Sequence, residues 1–255
     1  MSTKNTKIHL TKSNLDNILQ ELAKEYRKLV GKNMPAEIIM VGGGAILARY
    51  GFREYSYDLD VIIKASSAMK QAATIVADRY NMPANWLNSD FQRTDSYSTT
   101  LSEISKPYRT FANIVNVRVV EDEYLVAMKL RSGRIYKHDM SDIVGIIWEH
   151  EIAGKPLDKT TIEIAFVKLY GSDSKMKESS RELLEIVYAT DDIESLYNSV
   201  LNSEQQMRGI VLKFEEDYSN VINIENHDDI IATLKSKHEL SFVQQQQKKT
   251  LIEQS

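Results

Sequence analysis

Leu15, Ile18, Leu19, Leu22 and Tyr26 recur at helical spacing, so the pattern predicts an amphipathic helix over 14–29, with Ser13 available as its cap. The next apolar run, 37–41, is short and ends at Gly42, Gly43 and Gly44. It reads as a buried strand entering a glycine turn, with a helix following over 45–50. Residues 57–63 read as a second strand, polar at the start and apolar at the end. Over 67–80 the pattern is helical again, with Ala72, Ile75 and Val76 on one side. Residues 81–107 are polar, aromatic and irregular, which suits short strands or a loop over a site. Val115, Val117 and Val119 alternate within 111–120, as a third core strand requires.

Beyond Glu121-Asp122-Glu123, a solvated turn, the periodic segments are all helical: 124–133, 139–153, 158–170, 174–189, 192–217 and 227–238. The end, 244–255, is rich in Gln and Lys and is expected to fray or be disordered. The pattern contains no internal repeat. It divides the chain into an α/β core over 1–122, a helical part over 123–243 and a tail over 244–255. The expected fold class is α/β, a short mixed sheet flanked by helices with a helical C-terminal part.

Composition narrows the functional classes. The 255 residues are 42% apolar and 27% charged, with a formal net charge of -4. That suits a folded domain and argues against a protein that coats nucleic acid, although a local basic groove is compatible with it. The absence of cysteine excludes a disulfide framework, a thiolate metal site and a cysteine nucleophile. Residues 1–12 lack the apolar core of a signal peptide, and the apolar stretch 35–52 carries Glu37, Arg49 and three glycines, unlike a membrane span. A cytoplasmic protein with no membrane partner is the expectation. His9, His138, His150, His227 and His238 show no zinc-ligand spacing, and no serine sits in a Gly-x-Ser-x-Gly elbow.

The glycine triplet has two readings. Free N–H groups at the start of the following helix favour phosphate, and a tight turn or close helix–strand packing explains the same residues structurally. Asp58 and Asp60 say more. Two residues apart on a strand, their carboxylates share a face and repel unless a cation lies between them. Mg²⁺ or Mn²⁺ with oxygen ligands is the natural solution, and a polar strand end is the structural alternative. Together, a phosphate cradle beside an acidic pair is what a nucleoside triphosphate needs.

These residues carry a family resemblance. The stretch Val41-Gly42-Gly43-Gly44-Ala45-Ile46-Leu47, then Arg53, then Tyr57-Asp58-Leu59-Asp60-Val61, resembles the opening motif of the nucleotidyltransferase superfamily with the polymerase-beta-like core. It is most similar to the bacterial branch of abortive-infection and MenT-type nucleotidyltransferase toxins. Downstream, Leu125 to Leu130 with Lys129, then Arg134 and His138-Asp139-x-x-Asp142-Ile143, look like that branch's later motif. The resemblance covers roughly residues 36 to 147 and implies a nucleotidyltransferase-type fold. It implies Asp58 and Asp60 as metal ligands, Asp58, Asp60, Lys129 and Asp139 as catalytic, and Gly42, Gly43, Gly44, Arg53 and Arg134 as nucleotide-binding. NTP would be the donor. The acceptor would be RNA, a tRNA 3′ end by analogy, or a protein or small molecule, and an antitoxin protein would be the partner.

Two departures qualify the match. The third core strand offers Asn113 and Asn116 where many members carry a third carboxylate, and Gly44 stands where related enzymes often have serine. A nucleotide-binding module without turnover is therefore the reading from another class. Structural explanations also stand beside the later residues: a half-exposed lysine for Lys129, pairing with Asp139 or Glu123 for Arg134, helix capping for Asp139 and a helix-dipole position for Asp142. Tyr50, Phe52, Tyr55 and Tyr57 read first as core packing and second as a base-stacking surface.

Overall fold

The computed structural model describes residues 8–218, 221, 229–234 and 236. A five-stranded mixed sheet is flanked by helices, and the C-terminal part is helical. In chain order the elements are α1 (Leu15–Val30), β1 (Ala36–Met40), α2 (Gly42–Arg49), β2 (Leu59–Lys64), α3 (Ala68–Tyr80), β3 (Leu87–Asn88), β4 (Ser105–Phe111) and β5 (Val115–Val120). Then come α4 (Asp122–Ser132), α5 (Asp139–Ile152), α6 (Lys159–Tyr170), α7 (Glu178–Ala189) and α8 (Ile193–Asp217). Residues 229–234 are also helical. The helix expected over 227–238 otherwise falls on residues outside the described set, as does the expected tail.

The strand order is β3-β2-β1-β5-β4. Central β1 pairs antiparallel with β2 and parallel with β5, setting Met40 beside both Val61 and Val119. Paired residues share a face, so Ile38, Met40, Val61, Val117 and Val119 line one buried side of the sheet. The opposite side carries Asp60, Ile62 and Lys64 from β2 beside Glu37 and Ile39 from β1. One hydrophobic cluster runs from Leu10 to Tyr197 and so continues across residue 122. A small second cluster joins Met207 and Val211 of α8 to Ile231, with Ile135 and Tyr136 packed against it.

The structure corrects several sequence-based expectations. The single strand expected over 111–120 is a hairpin, β4 and β5, turned at Ala112 and Asn113 with φ of 47° and 52°. Edge strand β4 escaped notice because Lys106, Pro107, Arg109 and Thr110 are exposed, leaving no apolar alternation to read. Strand β2 starts at Leu59, so Asp58 lies in the bend before it and only Asp60 is a strand residue. The glycines do not precede a helix; they form the first turn of α2. Ser13 does not cap α1. Asn14 occupies that position, and its side chain instead accepts from Thr11 N and donates to His9 O.

Candidate active site

The end of β1, the start of α2 and the start of β2 meet at one point. Val41 N donates to Asp60 O at 3.0 Å, so Asp60 lies beside the first residue of α2. Gly42 has φ +56°, and a β-carbon added there would lie 3.4 Å from Asp60 Oδ2. At Gly43 a β-carbon would come within 2.7 Å of the Arg53 guanidinium. Gly44 is turned inward, where a β-carbon would collide with Leu59 Cδ1. Its missing side chain thus serves the packing of α2 on β2, and a serine would not fit without displacing Leu59. The amides of the first helical turn have no intrahelical acceptor.

Asp58 and Asp60 line a cavity of about 420 Å³, together with Gly43, Arg53, Lys129, Arg134 and Asp139. A smaller lobe of about 240 Å³ shares the two aspartates, Gly43, Lys129 and Arg134, and adds Gly42. Its outer wall is Asn88, Asp90, Phe91, Thr94 and Ser96, from the irregular segment expected to lie over the site. Asn88 Nδ2 donates to Asp58 Oδ2 at 3.3 Å. Among the described residues, no lysine or arginine lies within ion-pair distance of either aspartate. Burial, then the charge of Asp58, pushes the Asp60 carboxyl up to about 6.

Behind the aspartates stands a buried ionic lattice. Lys129 Nζ lies 2.8 Å from both Asp139 Oδ1 and Asp142 Oδ2. Arg134 binds Asp139 through Nε at 2.7 Å and Nη2 at 3.1 Å, and Arg53 Nη1 lies 2.5 Å from Asp142 Oδ2. Burial alone would raise the Asp139 carboxyl, but Lys129 and Arg134 hold it well below the usual range. Burial would likewise depress Lys129, and Asp139 with Asp142 raise it instead. Lys129, Arg134 and Arg53 are therefore committed to Asp139 and Asp142. Three cations share two carboxylates, so the lattice presents net positive charge toward the Asp58–Asp60 pair.

Asp139 does not cap α5. Its carboxylate faces the cations, and the helix's first amides, Met140 N and Ser141 N, donate to Glu204 Oε1 of α8 at 2.7 and 3.3 Å. All the residues expected at the site except Gly44 line one lobe or both. Sequence reasoning passed over Lys137, which lines both lobes and among the described residues has no carboxylate partner. Burial and then the Arg134 charge push its ammonium below the usual lysine range. Its sequence signal was a basic residue just ahead of the acidic motif. Arg208, Val211, Leu212 and Glu215 of α8 also line the larger lobe, and no local pattern tied that helix to the site.

A family model described as "Nucleotidyltransferase of unknown function (DUF6036)" matches residues 17–177. The chain belongs to this nucleotidyltransferase family. The matched span holds both aspartates, the glycines and the whole ionic lattice, so these are parts of the DUF6036 nucleotidyltransferase region. Helix α8 lies beyond it. No curated protein and no solved structure matches the chain. Among the described residues, no helix is long and apolar enough to cross a membrane.

Proposed function

We propose that this protein is a metal-dependent nucleotidyltransferase that moves a nucleoside monophosphate from an NTP to an acceptor hydroxyl. The observation that carries this reading is the pairing of Asp58 and Asp60 in a cavity backed by net positive charge. A divalent ion, Mg²⁺ or Mn²⁺, fits the donors present. They are oxygen only, burial and then the neighbouring Asp58 charge lift Asp60 to about 6, and no lysine or arginine among the described residues is ion-paired with either. Among the described residues no group of three or more His, Cys, Asp or Glu could hold a metal. Asp58 and Asp60 would thus hold the ion with phosphate oxygens and water completing its shell. When bound, the ion supplies neutralisation of phosphate charge and activation of the attacking hydroxyl.

The chain's own groups orient the triphosphate. The first-turn amides of Gly42 and Gly43 offer it hydrogen-bond donors, and Lys137, without a carboxylate partner among the described residues, adds a positive charge. Lys129 and Arg134 act through the field of the lattice, and Asp139 and Asp142 hold them in place, so Asp139 is a positioning residue. The acceptor oxygen bonds to the α-phosphorus as the bond to the bridging oxygen breaks. Pyrophosphate leaves, and the proton of the hydroxyl passes to solvent.

The acceptor we favour is an RNA 3′ end, from the resemblance to the abortive-infection and MenT-type branch. With it come a toxin role, an antitoxin partner and a cytoplasmic setting. A protein or small-molecule acceptor keeps the same chemistry. A nucleotide-binding module without turnover is the second reading, favoured by β5, where Asn116 sits beside Glu37 at the far end of the sheet and Asn113 lies in the hairpin turn. Labelled NTPs incubated with Mg²⁺ and cellular RNA separate these. Labelled RNA formed by wild type and not by Asp58→Ala supports RNA transfer, and equal labelling by both sinks it. Binding of Mg-NTP without consumption, seen by calorimetry, leaves the second reading standing.

A further inference from the structure

The cavity-facing side of α8 consists of Arg208, Val211, Leu212 and Glu215, spaced i, i+3, i+4 and i+7 on one helix face. Helix α8 lies outside the span matched by the family model, residues 17–177. Arg208 reaches across to Tyr57, which immediately precedes Asp58. Its Nη2 donates to the Tyr57 hydroxyl at 2.8 Å, and its guanidinium carbon lies 4.9 Å from the ring centroid. Among the described residues Arg208 has no carboxylate partner, unlike Arg53, Arg134 and Lys129. Tyr57 is 43% exposed and Leu212 is 49% exposed. Tyr50 and Phe52, close by in sequence, pack against the core instead.

From this geometry we propose that Tyr57, Arg208 and Leu212 form a subsite for one nucleotide unit on the α8 side of the cavity. A base needs a flat or apolar surface to stack on, and the Arg208 guanidinium backed by the Tyr57 ring, with exposed Leu212, supplies one. Its phosphate needs a cation not already neutralised. Arg208 keeps donors beyond the one given to Tyr57, and Lys137 lines the same lobe. A volume of about 420 Å³ is in the range of a small-molecule site, enough for one unit and too small for a duplex. Position points the same way, because Tyr57 adjoins Asp58 and a unit held there meets the two carboxylates. The unit is either the NTP itself or the terminal nucleotide of a nucleic-acid acceptor. The subsite rests on the transferase reading for the chemistry at its floor, and on its own residues for binding.

Equilibrium binding to the full chain with Mn²⁺ tests this, using two probes: non-hydrolysable analogues of the four NTPs, and a fluorescent single-stranded RNA hexamer with a free 3′ hydroxyl. Arg208→Ala and Tyr57→Leu are expected to weaken one probe roughly ten-fold or more, and Tyr57→Phe, which keeps the ring, less than about three-fold. Weaker NTP binding identifies the donor as the unit held; weaker RNA binding identifies the acceptor end. Unchanged binding of both probes by Arg208→Ala and Tyr57→Leu overturns the subsite, as does failure of wild type to bind either. Loss of labelling of a protein acceptor in Arg208→Ala, with both probes unaffected, also overturns it and makes this wall a peptide surface. Transfer measured beside binding keeps the two proposals apart. Probe binding that depends on Arg208 in a wild type without transfer removes the reaction and leaves the subsite. Transfer that needs Asp58, with variants that bind normally, does the reverse.

Discussion

Replacing Glu204 by glutamine should make the protein more stable at alkaline pH and leave it little changed in acid. Glu204 is 3% exposed, and its Oε2 is buried with no hydrogen-bond partner among the described residues. Burial lifts its carboxyl most. Hydrogen bonds from Ser141 and Met140 work against this, the Asp142 charge adds to it, and the result is pushed up to about 8 from an ordinary 4.5. The folded state therefore binds a proton that the unfolded chain has released. By linkage, the stability held below about pH 4.5 is lost as pH rises toward 8. A gap of 3.5 units (8 minus 4.5) corresponds to about 5 kcal/mol at about 1.4 kcal/mol per unit. Water entry and relaxation of α8 reduce this, so a gain on the order of 2–4 kcal/mol is expected for Glu204→Gln at pH 8.5. Glutamine retains an oxygen for Met140 N and Ser141 N, so the junction of α8 with α5 survives. Urea denaturation of both proteins at pH 5 and pH 8.5 provides the measurement. The two unfolding free energies should lie within about 1 kcal/mol in acid and separate in base. Equal stabilities at pH 8.5, or a variant less stable there than wild type, refute the reasoning.

Three further substitutions examine the site. Lys129→Met should cost about 3–5 kcal/mol in denaturant unfolding, because Asp139 and Asp142 each lose a cation 2.8 Å away inside the protein. Lys137→Met removes a cation with no carboxylate partner among the described residues. It should shift unfolding by no more than about 0.5 kcal/mol while weakening Mg-NTP binding roughly ten-fold in calorimetry. Gly44→Ser, which restores the residue common in related enzymes, should destabilise by about 1–3 kcal/mol in thermal melts, because its β-carbon meets Leu59 Cδ1. A stable and more active Gly44→Ser protein would show that the first turn of α2 is looser than the packing implies.

Much of the core was legible because its elements are amphipathic over short windows. Leu15, Ile18, Leu19, Leu22 and Tyr26 are all buried, as their spacing requires, and so are Val115, Val117 and Val119. The glycines and the two aspartates could be linked because only about a dozen residues separate them, and β1 and β2 pair as neighbours. Strand β4 was not legible. An edge strand with polar side chains is defined by its hydrogen bonds to β5, and those do not mark the sequence.

Local sequence, then, determined most of the helices, the buried strands and which acidic residues stand at the glycine-rich end of the sheet. Those are consequences of side-chain period and backbone freedom, properties that a short window contains. Tertiary structure decided how the charges are shared: Lys129 and Arg53 meet on Asp142, Arg134 closes on Asp139, Glu204 caps α5, and Arg208 arrives against Tyr57 from 151 residues away. These pairings depend on how α4, α5 and α8 pack against one another. A lysine's spacing alone does not say whether a buried carboxylate or a ligand will neutralise it; only the packed interior, where an unpaired charge is costly, makes that choice.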